Sequence, residues 1–174
     1  MIVNPTGVIL AVFCGLVLGC AAEKPTKPAA RHDAEQIARE QVPGGFVTSL
    51  RQEVDLGRRV YKVLVQNDST AKRVSIDAAT GRIVEILDRT EDLREAMADN
   101  ENLSVPLSPA VRAAAESTAL AVVPGELLRW RVRKDQGRLL YRCGIAEADG
   151  KVARVTIDAV TCAVLAVDRS QPAR

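Results

Sequence analysis

The chain has 174 residues, enough for one ordinary domain or two small ones, and 24 Lys and Arg against 22 Asp and Glu leave a formal charge of +2. This balance provides no electrostatic argument for a nucleic-acid partner. Aromatic residues make up 3% of the chain, which leaves few side chains for stacking on nucleic-acid bases. His32 is the single histidine, so a His-rich metal site is excluded and a Ser-His-Asp triad would have one candidate histidine. An ordinary hydrolase is therefore not expected.

The chain opens with an uncharged apolar stretch at residues 7–19. Its length suits the core of a signal peptide and falls short of the roughly 18 residues that a membrane span needs. It ends in the sequence Val-Leu-Gly-Cys, which resembles the bacterial lipobox. The resemblance implies that Cys20 is lipidated and becomes the first mature residue; a plain secretory signal is the alternative. Both interpretations predict export, and the first predicts a lipid-anchored protein of the cell envelope.

Two similar segments follow the predicted signal. An offset of 81 residues superposes 27–31 (KPAAR) on 108–112 (SPAVR), and later 73–78 (RVSIDA) on 154–159 (RVTIDA). Between them, at Tyr61 and Tyr141, the offset is 80. The changes in length fall at predicted turns, where they cost little. The sequence therefore predicts two tandem copies of one unit.

Each copy begins with a helical pattern. In the first copy, small and apolar residues recur at helical spacing from Ala30 to Ala38, with Arg31 and Glu35 assigned to the solvent side. The second copy starts with Ser108 and Pro109, a typical N-cap and first-turn pair. Its apolar stripe comprises Val111, Ala115, Thr118, Ala119 and Val122.

Four runs with period-two alternation follow each helix and predict strands. They lie at 46–54, 59–66, 72–77 and 82–87 in the first copy, and at 127–134, 138–145, 152–158 and 163–167 in the second. The residues between them have turn chemistry, which favours antiparallel pairing. The predicted fold class is α+β, with two tandem repeats that each pack one helix on a four-stranded antiparallel β-meander. One such unit would bury a marginal core, so the copies are expected to pack together or on a partner.

The predicted organisation is as follows: signal peptide 1–19, tether 20–27, first repeat 28–88, acidic helix and linker 89–107, second repeat 108–169 and tail 170–174. Thr90 is expected to cap the linker helix, with Leu93, Ala96 and Met97 facing inward.

Three features of the first copy resemble the PepSY domain, a module of peptidase propeptides and many exported bacterial proteins. They are the helix ending in Val-Pro-Gly, the second strand containing Tyr61, and the segment 76–83 (IDAATGRI). The second copy keeps Ile157-Asp158-Ala159 but has Cys162 where the pattern requires Gly. The resemblance implies inhibition or regulation of a peptidase, or ligand sensing in the envelope, with no catalytic residue to carry over. The secreted beta-lactamase inhibitor protein is similar in a looser way.

No sequence motif predicts an enzyme, a cofactor or a metal. His32 lacks the H-x-x-H or H-E-x-x-H spacing of a metal site, and no serine has a Gly-x-Ser-x-Gly context. Asp77 and Asp158 are expected to cap their own turns rather than to form a carboxylate pair. If a meander separates Cys143 from Cys162 by a whole strand, they lie beyond disulfide distance, and Cys143 is predicted to be a buried thiol.

The least explained feature is positive charge in the second copy. Leu128, Trp130 and Val132 are expected to share the face that the helix covers. Arg129, Arg131 and Arg133 alternate with them and are expected to project from the opposite face of the sheet. Such a row can protect an exposed sheet from aggregation. It can also dock an acidic surface, either a protein partner or anionic lipid headgroups.

Two functions remain open from the sequence. The first is a non-enzymatic, lipid-anchored envelope protein that binds a protein partner, for example a peptidase that it inhibits or positions. The second is an envelope sensor or carrier that holds a small ligand or peptide between the two units.

Overall fold

The computed structural model describes residues 29–99 and 104–172. The predicted signal peptide, Cys20 and the predicted tether lie outside the described residues, as does the first residue of the predicted first repeat. The elements in chain order are α1 (Arg31–Arg39), β1 (Phe46–Asp55), β2 (Arg58–Gln66), β3 (Ala71–Asp77), β4 (Ile83–Asp88), α2 (Thr90–Ala98), α3 (Pro109–Val122), β5 (Glu126–Asp135), β6 (Arg138–Ala146), β7 (Lys151–Asp158) and β8 (Val164–Pro172).

All eight strands form one antiparallel sheet in the order β4-β3-β2-β1-β5-β6-β7-β8. Helix α1 packs on β1, β2 and β3, and helix α3 packs on β6 and β7. The buried residues under both helices form one continuous hydrophobic core, so the two helices cover the same face of the sheet. The α+β class predicted from the sequence is confirmed, and the strands of both halves belong to a single sheet.

The two halves join where β1 pairs with β5 over three residue pairs. Leu50 lies opposite Trp130, flanked by the pairs Ser49–Arg131 and Arg51–Arg129. Leu50 and Trp130 occupy the same register position in their own hairpins, because each lies two pairs from the Gln52–Tyr61 or Val132–Tyr141 pair. The junction is therefore locally symmetric. Leu50 and Trp130 are both almost fully buried, so this short junction runs through the core.

Turn geometry is also the same in both halves. The β1–β2 turn has positive φ at Leu56 and Gly57, and the β5–β6 turn has positive φ at Gln136 and Gly137, as a type I′ hairpin requires. Cys162 has φ of 57° at the turn where the first half has Gly81 at 69°. A side chain other than Gly is strained in this left-handed region, so Cys162 adopts the conformation of Gly81 at the cost of strain.

The predicted aspartate caps are confirmed. The Asp77 carboxylate accepts hydrogen bonds from the backbone N–H groups of Ala79 and Thr80, both at 2.9 Å. Asp158 accepts the equivalent bonds from Val160 and Thr161 at 3.0 Å. These backbone donors stabilise the ionised form and lower the pKa of both carboxyl groups.

A buried carboxylate connects the two helices. Glu35 was assigned to the solvent side of α1 but is only 2% exposed, so that assignment is wrong. Its carboxylate forms an ion pair with Arg112 of α3 and accepts a hydrogen bond of 3.1 Å from the Trp130 indole N–H. The Arg112 guanidinium also lies over the Trp130 ring, 5.0 Å from its centroid. Glu35 thus faces a second helix and a neighbouring strand, neither of which the periodicity of α1 alone reveals.

A reciprocal ion pair lies beside this network. Arg31 of α1 pairs with Glu116 of α3. The offset of 81 residues relates Arg31 to Arg112 and Glu35 to Glu116, so this pair is the counterpart of the one between Arg112 and Glu35. Each helix therefore contributes one arginine and one glutamate, four residues apart, to the contact. We name these two ion pairs the interhelix clamp. Glu116 is more exposed than Glu35, so the two pairs contribute unequally to stability.

Several predicted faces and boundaries differ from the structure. Leu127, rather than Leu128, lies in the core, because a β-bulge between Leu127 and Arg129 shifts the alternation. Val122 is 41% exposed and Met97 is 51% exposed, so neither side chain faces the core as helical spacing predicts. Strand β8 continues to Pro172, beyond the predicted end of the second repeat at 169 and into the predicted tail, because it pairs with β7 as far as Lys151.

The clamp yields a prediction about stability. Glu35→Gln leaves the Arg112 charge partly buried without its carboxylate, and we expect the free energy of unfolding to fall by about 3 kcal/mol. The matched variant Glu116→Gln removes the more exposed pair and should cost less than about 1 kcal/mol. Urea unfolding followed by the fluorescence of Trp130, the single tryptophan, measures both. Equal losses for the two variants would contradict the unequal burial of the pairs.

Candidate functional site

A groove lies on the sheet face opposite α1 and α3. Its volume is about 580 Å³, and it crosses the β1–β5 junction, so both halves line it. The predicted residues Arg129, Arg131 and Arg133 all lie in its wall, on the face that the alternation indicated. The other cationic residues that line it are Arg51, Lys62, Arg73, Arg142 and Arg154. We name this feature the basic groove.

Three cations of the first half, Arg51, Lys62 and Arg73, line the groove without having been predicted from the sequence. A signal for them was present, because Arg51, Lys62 and Arg73 occupy the positions that Arg131, Arg142 and Arg154 occupy in the second half. The two sets become one site only because β1 and β5 are neighbours in the sheet. Strand adjacency of this kind cannot be read from either hairpin alone.

Arg131 lies at the centre of the positive charge. Its partial burial lowers its pKa, and four neighbouring guanidinium groups lower it further. Those groups belong to Arg133, Arg142, Arg154 and Arg129. Arginine remains protonated in spite of such a shift, so the shift indicates concentrated positive charge rather than a neutral side chain. A bound anion would relieve this repulsion.

The two halves of the groove differ in how their charge is balanced. In the first half, Glu53 pairs with both Arg51 and Lys62, each at 2.7 Å. The equivalent position in the second half is Arg133. Glu53 follows the residue paired with Tyr61 in the β1–β2 hairpin, and Arg133 follows the residue paired with Tyr141 in the β5–β6 hairpin. The second half therefore has a cation where the first half has its neutralising carboxylate.

The arrangement of Arg129 depends on a glycine. Gly144 lies opposite Arg129 in the β5–β6 pair. A Cβ atom on Gly144 would come within 2.7 Å of the Arg129 Nε atom and 2.9 Å of its Cγ atom. The absence of a side chain thus allows Arg129 to lie across the neighbouring strand. The first half has Ser49 and Leu64 at these two positions, so only the second half can form this arrangement.

Helix α2 borders the groove on the same face. Leu93 and Ala96 of α2 line a neighbouring depression together with Arg73 and Arg131. Asp92 of α2 lies near enough to Arg73 to raise the pKa of that arginine, although burial and the charges of Arg89 and Arg51 lower it overall. An acidic helix thus packs beside the positive groove.

Other candidate chemistry finds no site in the part of the chain that the structure describes. Within residues 29–99 and 104–172, no three His, Cys, Asp or Glu side chains are grouped as metal ligands would be. No helix of these ranges is long and apolar enough to span a membrane. Cys143 on β6 is buried and Cys162 lies in the β7–β8 turn, and both are free thiols. Burial raises the pKa of Cys143 to about 12, which makes it a poor nucleophile.

Comparison with known proteins supports the sequence resemblance. Residues 30–87 match the PepSY family model, described as the peptidase propeptide and YPEB domain. This match confirms the resemblance carried by the residues of the first half, and it indicates a regulatory or binding role. A comparison with curated proteins finds no match.

One solved structure is similar over most of its length. It is the crystal structure of a candidate lipoprotein from Clostridium difficile 630, with a TM-score of 0.52 and 25% sequence identity. The likeness covers 84% of this chain and 95% of that chain. Because it extends well beyond residues 30–87, it includes both halves of the eight-stranded sheet.

The two thiols provide a direct test of the described geometry. In a protein with Cys14 and Cys20 replaced by Ser, Ellman's reagent should react with Cys162 in the native state, while Cys143 should react only on unfolding, because it is buried and almost fully protonated. Denaturation without reductant should expose both thiols. Failure to detect any thiol in the denatured, unreduced protein would show that the two cysteines are bridged.

Proposed function

We propose that this protein is a non-enzymatic, exported and lipid-anchored binding protein of the cell envelope, built from two PepSY-like units. The second half is interpreted as a diverged copy of the first. The matched offsets, the symmetric β1–β5 junction and the reciprocal interhelix clamp support this interpretation. Lipidation at Cys20 is supported by the lipobox and by the likeness to a candidate lipoprotein.

The basic groove is the single observation that carries the binding role. Helices cover one face of the sheet, whereas the other face presents a continuous groove of about 580 Å³ lined by cations from both halves. A surface that served only to prevent aggregation would have no need for a depression across the junction, or for the glycine that seats Arg129. We infer that the groove docks a protein partner, and the PepSY match makes an envelope peptidase the first candidate.

A second candidate function rests on the position of the same groove. Because the groove crosses the junction of the two halves, it could also hold a small ligand or a short peptide between the units, as an envelope sensor or carrier would. Such a ligand would stabilise the folded chain by mass action and raise its melting temperature.

Crosslinked pull-down from envelope extract of the source cell distinguishes these functions. The full-length protein should capture one stoichiometric partner, and the capture should be lost with the triple variant Arg129→Gln, Arg131→Gln, Arg133→Gln. These side chains point away from the core, so the melting temperature of the variant should stay nearly unchanged.

The outcomes separate as follows. Inhibition of a captured peptidase in a purified assay would support a regulatory role. The absence of any stoichiometric partner, together with a thermal shift on adding small molecules or peptides, would favour the sensor and overturn the partner proposal. Equal capture by the triple variant would show that the partner binds elsewhere on the protein.

A further inference from the structure

Three arginines of the second half differ from the cations that Glu53 balances in the first half, although Arg142 of the second half also pairs with a carboxylate, that of Asp135, at 2.9 Å. Among the described residues, no carboxylate lies within ion-pair distance of Arg129, Arg131 or Arg154, whereas Glu53 neutralises Arg51 and Lys62. Packing several guanidinium groups together in this way costs electrostatic free energy that folding alone does not recover. A ligand that carries several negative charges would recover it.

Helix α2 indicates the form of that ligand. It stands on the same face as the groove and carries carboxylates at Glu91, Asp92 and Glu95, all exposed. A flat bilayer laid over the groove would meet this helix before its headgroups reached the groove floor. A single polypeptide segment, in contrast, can lie in the groove beside α2. Helix α2 itself demonstrates this kind of packing, because its half-buried Leu93 lines the depression beside Arg73 while the Asp92 carboxylate lies near enough to Arg73 to raise the pKa of that arginine.

The floor of the groove supplies apolar contact as well as charge. Leu64 is half-buried there, beside Arg73 and across the junction from Arg131. A segment that combines carboxylates with an apolar side chain would therefore satisfy both the walls and the floor.

We propose that the basic groove binds an acidic segment of polypeptide, anchored by the arginines of the second half, with Arg129, Arg131 and Arg154 as the principal contacts. This inference rests on the proposed partner-binding function and specifies the chemistry of the surface that the partner presents. Guanidinium groups bind carboxylates through paired charge-assisted hydrogen bonds, and this geometry requires arginine rather than lysine.

The test uses fluorescence anisotropy of the full-length protein with a fluorescein-labelled peptide rich in Glu and containing one central Leu. A peptide with Gln in place of every Glu is the control ligand. We expect the Glu peptide to bind, the Gln peptide not to bind, and binding to weaken as salt concentration rises. Arg131→Gln should weaken binding by about tenfold, the loss expected for one charge-assisted hydrogen-bond contact.

The symmetry of the sheet supplies matched variants. Arg51→Gln, at the equivalent position of the first half, should weaken binding by less than about threefold because Glu53 already neutralises Arg51. Glu53→Gln releases Arg51 and Lys62 and should strengthen binding. Gly144→Ala should weaken binding without changing any charge, because the new Cβ displaces the Arg129 side chain. The melting temperature of each variant verifies that it folds.

Three results would overturn the inference. They are equal loss of binding in Arg51→Gln and Arg131→Gln, equal binding of the Glu and Gln peptides, and Arg131-dependent binding of phosphatidylglycerol vesicles without binding of the peptide. None of them removes the proposed function by itself. If the pull-down still yields a stoichiometric partner, the protein binds that partner through another surface, and only the acidic-segment inference fails.

Discussion

The β1–β5 pairing is the constraint on which the rest of the molecule depends. Only three residue pairs join the two halves of the sheet, yet this contact makes one core and one groove from two small units. Three pairs of a ladder are a weak connection by themselves. The interhelix clamp reinforces the junction from the helix side, since Glu35 reaches both Arg112 on α3 and Trp130 on β5. The sheet contact and the helix contact therefore hold the same two halves in one orientation.

This orientation gives the two faces of the sheet different roles. On the covered face, the arginine of each helix pairs with the glutamate of the other, so Arg31 with Glu116 mirrors Arg112 with Glu35. On the open face, equivalent positions have diverged, and the carboxylate at Glu53 is replaced by Arg133. The halves therefore match on the covered face, where their charges pair, and differ on the open face, which carries the basic groove. This difference at one register position makes the open face of the second half more positive than that of the first.

Local structure was largely predictable because it follows from periodicity and turn chemistry. Alternation located the strands of both meanders, mostly within a residue or so, and the aspartate turns were recognised because each carboxylate bonds only to its own backbone neighbours. Predictions failed where a distant element decides the environment. Glu35 looked solvated from helical spacing, and Leu128 looked buried because alternation does not reveal a bulge. The length of β8 depended on pairing with β7, which extends past the last alternating residue.

By itself, the sequence determined the α+β composition, the PepSY resemblance and the face on which Arg129, Arg131 and Arg133 lie, and it predicted two copies of one unit. These features depend on spacing within a hairpin or a helix, and such spacing is local. Only the tertiary structure decided that β1 and β5 are neighbours, that Glu35 is the buried partner of Arg112, and that cations of both halves share one groove. These relations join residues that are far apart along the chain. Their energies come from burial and charge proximity, which exist only after the two halves have packed together.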